Sequence, residues 1–243
     1  MQPENVSPGS DEIRRGIEPS GPISRLIDWM TAALLVFGGL LLATAGTGLY
    51  SLADRSRIAG WVAEGQLTST ELTDAELIDT TQALLTWGGI GMTVTGAVLV
   101  VGGVAFLLYR SRMRARTAAD RPDSITLAII GAVVTLVTSF VPFSPLIGGT
   151  VSGYLRGGDG AEGVRVGAYA GLAASLPFTL LGLFVLGGLS IAAVELGLGG
   201  LGVFIGLALV FSVLVSVAYL VGLSALGGYL GVSLAARNRT ESV

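Results

Sequence analysis

Long runs of apolar residues constrain the fold of this chain more than any other feature. The hydrocarbon core of a bilayer is about 30 Å thick, and a helix needs about 20 residues to cross it. Several runs reach that length without a charged side chain, so the sequence predicts an all-α fold, a polytopic transmembrane helical bundle. The chain has six apolar runs in all, not every one of which reaches that length: Trp29–Leu52, Ala83–Tyr109, Ile125–Val141, Phe143–Leu155, Val166–Leu189 and Leu198–Ala236.

The number of crossings depends on the shortest run and on the longest one. Pro142 and Pro145 end the third run, because proline lacks the N–H group that continues a helix. The run Phe143–Leu155 would then be only about 20 Å long as a helix. If it crosses, the chain makes about six crossings. The last run is longer than one upright crossing, so it either tilts and protrudes or breaks near residues 222–228.

Orientation follows from the placement of arginine, because loops on the cytoplasmic side carry the excess of basic residues. Five arginines lie between the second and third runs, and the segment Ser51–Gln82 is acidic. We therefore expect a multi-pass protein of the cell membrane with both termini in the cytoplasm. A crossing by the short run would also place Arg156, Arg165 and Arg237 on the cytoplasmic side.

The same patterns divide the chain into five parts. These are a disordered cytoplasmic tail (1–28), a two-helix hairpin with an external acidic loop (29–109), a basic cytoplasmic linker (110–123), a four-span glycine-rich membrane domain (124–236) and a cytoplasmic tail (237–243). In the external loop, Ile58, Trp61 and Val62 fall at helical spacing. They predict a short helix that either lies on the outer leaflet or packs on the helix ends. Thr73 and Glu76 match a capping box at the start of the second span.

The residue inventory excludes most catalytic chemistry. The chain has no Cys and no His, and all 14 basic residues are Arg. Thiolate nucleophiles, histidine bases, lysine Schiff bases and the common zinc sites are therefore impossible. We expect no enzyme activity, no catalytic residue, no metal site and no cofactor. With a net charge of −3, the chain also lacks the basic footprint that nucleic-acid binding requires.

Small residues recur at every fourth position on both sides of a short polar turn. This spacing places them on one face of each helix, and small faces let helix backbones approach closely in lipid. We expect these glycines to be helix-packing positions whose two stripes face each other in a helical hairpin; the alternative is chance in a chain with 37 glycines. The first stripe is Gly149, Gly153 and Gly157, and the second is Gly163, Gly167, Gly171 and Ser175.

Other positions of this region carry further expectations. Val166 lies beside the second stripe and is expected to face lipid. The turn around Asp159 has no lysine-containing phosphate motif after it, so it is expected to be a solvated turn. Similar stripes of small residues on neighbouring helices are Gly131/Thr135/Ser139 and Gly227/Gly231/Ala235.

Polar residues inside the runs point to passive rather than charge-driven functions. No charged residue lies in the middle of any run, which argues against a proton-coupled pump. Thr179, Ser212, Ser216 and Tyr219 could line a polar seam beside Pro177, or they could bond within their own helices. We therefore expect a non-enzymatic structural or assembly role, with a passive channel or small transporter for neutral solutes as the alternative. The expected partners are the lipid bilayer and either a second copy or another membrane protein.

One stretch resembles a known family. Residues 142–159 read PFSPLIGGTVSGYLRGGD, and residues 163–168 read GVRVGA, followed by Pro177. Over residues 124–236 this pattern resembles an uncharacterised haloarchaeal family of multi-spanning membrane proteins. The resemblance implies an integral membrane location and a halophilic archaeal source. It implies no activity and no binding residue.

Overall fold

The computed structural model describes residues 22–116, 123–197 and 199–240. Over these ranges the chain is helical, without a strand. The helices are α1 (Pro22–Ser51), α2 (Arg55–Ala63), α3 (Asp74–Arg116), α4 (Ser124–Val137), α5 (Ser144–Arg156), α6 (Gly160–Glu195) and α7 (Gly199–Thr240).

In the described ranges, four helices are long and apolar enough to cross a membrane. They are α1, α3, α6 and α7, and their character fits an integral membrane protein. The helices α4 and α5, which correspond to the third and fourth apolar runs, have only 14 and 13 residues. The expected count of about six crossings is therefore not confirmed. The last run forms one continuous helix of 42 residues without a break near 222–228.

Several segment boundaries differ from those expected. Helix α1 begins at Pro22, inside the segment expected to be a disordered tail, and residues 1–21 of that tail lie outside the described residues. Helix α3 continues through Arg116, so the first half of the expected linker is helical. Helix α7 continues to Thr240, through most of the expected C-terminal tail. These helices extend beyond their apolar runs into flanking polar residues, before the run in α1 and after it in α3 and α7, because most of those residues have ordinary helix propensity.

Glycines interlock α1 with α3 in the N-terminal hairpin. A methyl group added at Gly39 would place its carbon 2.6 Å from the Gly96 carbonyl oxygen, and one added at Gly96 would lie 2.4 Å from the Gly39 carbonyl oxygen. Gly46 and Gly89 approach each other's helices in the same way. These glycines are spaced by seven, a period that keeps one seam facing a partner helix. The packing positions predicted from a spacing of four do not include these glycines.

The connection between α1 and α3 packs against the bundle. Ile58 of α2 is fully buried, and Trp61 and Val62 are half-buried. Of the two alternatives for this helix, packing on the helix ends is the one observed. The capping box is confirmed, because the Thr73 N–H donates to the Glu76 carboxylate at 2.8 Å and the Glu76 N–H to the Thr73 hydroxyl at 3.4 Å.

Helices α4 and α5 form a short hairpin that ends halfway along the longer helices. Asp123, the N-cap of α4, accepts a hydrogen bond from the Tyr109 hydroxyl near the end of α3. At the other end of α4, Leu136 lines the same cavity as Leu99 and Pro177, which are mid-helix residues of α3 and α6. Residues 138–143 form the tip of the hairpin, and α5 returns from there alongside α4.

A buried ion pair holds the start of α1 against the end of α3. The Arg110 Nε donates to the Asp28 carboxylate at 2.9 Å. The Asp28 residue is only 3% exposed. A buried charge that keeps a charged partner is stabilised, whereas a buried charge that loses its partner is strongly unfavourable. The pair therefore fixes the register of the N-terminal hairpin at one end.

We expect Asp28→Asn to destabilise the protein. The substitution leaves the Arg110 guanidinium without a carboxylate partner. The expected loss is about 1–3 kcal/mol of unfolding free energy. Thermal unfolding in detergent would measure it. Glu71→Gln removes one acidic charge from the exposed loop and is the control. Equal melting of the two variants would show that the pair does not stabilise the hairpin.

Candidate functional site: a glycine-lined junction of three helices

The expected glycine stripes lie where α5, α6 and α7 meet. Gly149 and Gly153 are on α5, and both are buried. Gly163, Gly167 and Gly171 are on α6 and are buried as well. The junction is therefore built from two stripes that come from helices adjacent in sequence and joined by a turn of three residues.

The α5 stripe packs directly on the backbone of α7. A methyl carbon added at Gly149 would lie 2.0 Å from the Ser224 carbonyl oxygen. One added at Gly153 would lie 2.1 Å from the Gly228 carbonyl oxygen. Carbon and oxygen cannot approach so closely, so only a hydrogen atom fits at either position.

The α6 stripe packs on the same part of α7. A methyl carbon added at Gly163 would lie 2.5 Å from the Gly228 carbonyl oxygen, and one added at Gly167 would lie 2.2 Å from the Ser224 carbonyl oxygen. At Gly171 the nearest atom would be the Leu220 carbonyl oxygen, 2.7 Å away. The expectation that the two stripes face each other is therefore corrected. Both face a third helix, since the small residues Ser224 and Gly228 let α7 lie between them.

Helix α7 contributes glycines of its own to the contact. A methyl carbon added at Gly227 would lie 2.2 Å from the Leu146 carbonyl oxygen, and one added at Gly231 would lie 2.2 Å from the Thr150 carbonyl oxygen. A methyl carbon at Gly228 would lie 2.1 Å from the Gly163 carbonyl oxygen. The close approach is thus reciprocal, with backbone against backbone on both sides of α7.

Helix α4 closes the junction on the side of α5. A methyl carbon added at Gly148 would lie 2.0 Å from the Thr135 hydroxyl oxygen, and one at Gly131 would lie 2.8 Å from the Gly148 carbonyl oxygen. Val166 of α6 is 2% exposed, so the expectation that it faces lipid is wrong.

The sixth expected packing residue, Gly157, has a different place. It caps α5 with a φ of 58°, and Gly158 follows with a φ of 88°. Glycine adopts these left-handed conformations without steric cost. Asp159 then caps α6 by accepting from the Glu162 N–H at 2.8 Å, and Arg156 pairs with Glu162 at 3.1 Å. Gly157 therefore belongs to the turn between α5 and α6, where it is buried.

The end of the bundle that holds this turn also carries a charged cap on α4. Burial acts to raise the pKa of Asp123, but hydrogen bonds from Thr126 and Tyr109 to its carboxylate outweigh it, so the pKa lies below its usual range. Because the pKa of Asp123 is lower in the folded than in the unfolded chain, its carboxylate stabilises the fold at pH values above the unfolded pKa. This stabilisation is lost as the pH falls through the folded pKa. The carboxylate form is the one that caps α4 at neutral pH.

The junction offers close contacts but little chemistry. Ser152 is fully buried and donates to the Gly149 carbonyl oxygen at 2.9 Å. Ser224 is also fully buried, and among the described residues its hydroxyl has no hydrogen-bond partner. In the described part of the chain, no three acidic side chains come close enough to hold a metal ion. What this arrangement supports is association of helices through their backbones.

The expected polar seam is only partly assembled. Thr179 of α6 and Ser212 of α7 line one cavity of about 480 Å³ between these helices. Ser216 donates to the Ser212 carbonyl oxygen at 2.8 Å, within its own helix. Tyr219 is half-exposed on α7. Of these hydroxyl groups, that of Ser216 bonds within its own helix.

We expect alanine at Gly153 or Gly167 to destabilise the protein. Alanine favours helix over glycine by about 1 kcal/mol, but its methyl group would strike the α7 backbone at both positions. Overpacking of this kind costs about 1–3 kcal/mol. Thermal unfolding in detergent would show lower melting temperatures for Gly153→Ala and Gly167→Ala than for the native chain.

Gly222→Ala is the matched control for both variants. Gly222 lies on α7, and no atom is found within 4 Å of a methyl carbon added there. This variant should melt at or above the native temperature. If all three alanine variants were equally stable, the backbones would not be in contact at the junction.

One comparison with known proteins bears on this region. Residues 125–234 match the model of a family described as "Family of unknown function (DUF5518)". The match contains α4, α5, α6 and most of α7, and therefore the whole glycine junction. No curated protein and no solved structure matches the chain. The segment is thus similar to a family of unknown function over nearly the range of the resemblance, and the match assigns no activity and no source.

Proposed function

We propose that the chain is a multi-pass protein of the cell membrane with a non-enzymatic structural or assembly role. Four long apolar helices support the membrane location. The residue inventory, without Cys, His or Lys, supports a role that involves no catalysis. At the glycine junction the helix backbones lie too close for any side chain to fit between them, which is consistent with a structural role.

The proposed topology has four crossings and one re-entrant hairpin. Helices α1, α3, α6 and α7 cross, whereas α4 rises only about 21 Å at 1.5 Å per residue. Its end lies beside Pro177, near the middle of α6, and α5 then returns. The α4–α5 hairpin therefore enters and leaves on one side of the membrane. It takes the place of two of the six expected crossings.

This topology keeps the expected orientation. A hairpin that returns to its own side does not change which side the following segments occupy. Arg110, Arg156, Arg165 and Arg237 therefore share one side, as they would with six crossings. By the positive-inside rule that side is the cytoplasm, and both termini lie there.

The observation that carries the assembly role is the tip of the re-entrant hairpin. Phe140 is 83% exposed, and Phe143 has a φ of 65°, unusual for a residue other than glycine. The backbone N–H groups of Phe140 and Phe143 donate to no other backbone group in the described ranges. Lipid cannot accept such hydrogen bonds. Irregular backbone at this depth is tolerated only where protein covers it or water reaches it.

A covering protein segment would satisfy the tip and make the chain part of an assembly. The cover is either a second copy of the chain or another membrane protein. The exposed aromatic side chains of Phe140 and Phe143 suit such a contact, since aromatic side chains contribute much of the energy of protein interfaces. Assembly is therefore the function that the tip supports best.

The second candidate is a passive channel for neutral solutes. In this alternative, water rather than protein reaches the tip. By helix register with α5, Ser216 and Tyr219 of α7 lie at about the depth of the tip, because Gly149 is level with Ser224. Their hydroxyl groups could line such a water-filled space.

We expect Phe140→Cys to form cross-links to protein in native membranes. The chain has no natural Cys, so a cysteine-directed photo-cross-linker reports from one position. Phe211→Cys, an exposed apolar position on α7, is the control and should link mainly to lipid. Adducts of twice the chain mass would identify a second copy, and other adducts would identify a different protein.

Two other results would contradict the assembly role. Cross-links from Phe140→Cys to lipid alone would show that nothing covers the tip. Labelling of Phe140→Cys by a charged maleimide, together with flux of neutral solutes in liposomes, would favour the channel.

We expect single cysteines to confirm the orientation. Ser69→Cys, in the loop before α3, should react with an impermeant maleimide on intact cells. Ala161→Cys, exposed at the start of α6, should react only after permeabilisation. The opposite pattern would reverse the proposed orientation.

A further inference from the structure

An apolar cleft lies between α3 of the N-terminal hairpin and α4. Helix α3 packs on α1 and α6, and α4 packs on α5 and α6 and touches α1. Within the described ranges, α3 and α4 themselves are joined at the inner end, by the Tyr109–Asp123 hydrogen bond, and are not packed along their length. The space between them is a cavity of about 420 Å³. Ligand sites have volumes of about 300–1,000 Å³, so the cleft is large enough to hold part of a small ligand.

The walls of the cleft are almost entirely aliphatic. Side chains of four helices line it, including Leu35, Leu99, Val133 and Leu180. A neighbouring cavity of about 370 Å³ shares several of these residues and extends towards Gly38 of α1. Apolar cavities of this kind stay free of water and take up apolar molecules. At mid-membrane depth, the apolar molecules at hand are lipid chains.

An exposed arginine lies on α3 beyond the inner end of the cleft. On α3, Val98, Gly102, Tyr109 and Arg112 lie along one stripe by helical spacing. The first two line the cleft, and Tyr109 is bonded to Asp123, so the stripe remains beside α4 to its inner end. Arg112 follows one turn later. Its side chain is exposed and, within the described ranges, makes no ion pair.

We propose that this cleft binds one hydrocarbon chain of an anionic bilayer lipid, whose phosphate is held by Arg112. The hydrocarbon matches the aliphatic walls, and the phosphate complements the guanidinium charge at the inner surface. The inference rests on the membrane topology proposed above, but it does not depend on whether a protein covers the hairpin tip.

The glycine that lines the cleft gives a direct test. No atom lies within 4 Å of a methyl carbon added at Gly102, so Gly102→Leu would project into the cleft without striking the backbone. The protein would be reconstituted with phosphatidylglycerol that carries a photoreactive group on one chain. Adducts on α4 and α6 residues of the cleft should fall about tenfold in Gly102→Leu.

Gly222→Leu is the matched control, because its position is also open but lies outside the cleft. It should give native amounts of the adducts. Gly38→Leu, open in the same way and lining the neighbouring cavity, is the second blocking variant in case Gly102→Leu fails to fold. It too should reduce the adducts.

The charge is tested separately with Arg112→Gln. Loss of one arginine near the surface should reduce the preference for phosphatidylglycerol over phosphatidylcholine about fivefold. Arg57→Gln removes the same charge from the α2 end of the bundle and should leave the preference unchanged.

Each outcome supports or overturns the lipid site. Adducts spread evenly over exposed apolar positions, and equal in Gly102→Leu and Gly222→Leu, would show ordinary surrounding lipid only. An unchanged headgroup preference in Arg112→Gln would overturn the phosphate contact. If Ser69→Cys and Ala161→Cys label as expected while the adducts fail, the lipid site alone is wrong and the topology stands.

Discussion

The contact of helix backbones around α7 is the interaction on which the C-terminal half of the molecule depends. At Ser224 and Gly228, carbonyl oxygens of α7 lie so close to glycines of α5 and α6 that no side chain fits between them. In lipid there is little hydrophobic gain from bringing helices together, so close van der Waals contact must supply the stabilisation. Such contact is available only where both surfaces are small, which explains why glycine and serine occur on all three helices.

This contact also explains how a short hairpin can be held inside the bundle. Helix α5 has only 13 residues, too few to be secured by length. Its buried glycines seat it against α7, and Gly148 and Gly131 seat α4 against it. In the topology that we propose, the hairpin can therefore end at mid-depth because its buried half is fixed. In that topology its tip has irregular backbone that requires cover, and a cleft lies beside it between α3 and α4.

Much of the architecture could be predicted from the sequence, and the limits have physical causes. Apolar length gave the four long helices, and the spacing of four identified Gly149, Gly153 and Gly167 as packing positions. A stripe shows only that some backbone comes close; it does not identify which one. The stripe Gly227/Gly231/Ala235 of α7 was recognised, but spacing could not show that the adjacent small residues Ser224 and Gly228 pack α7 against two helices at once. The N-terminal hairpin has glycines at a spacing of seven, such as Gly39 and Gly46. This spacing also indicates a packed helix face, which a search for a spacing of four does not find.

The depth of the α4–α5 tip tests the account most directly. A nitroxide spin label attached at Phe140→Cys in lipid vesicles reports its depth through its relative exposure to oxygen and to a water-soluble nickel complex. The re-entrant hairpin predicts a label at mid-membrane depth, with little contact with the nickel complex, on a chain whose Ala161 and Ser69 positions label from opposite sides. A label at the outer aqueous surface would mean that α4 and α5 cross the membrane, and it would contradict the account.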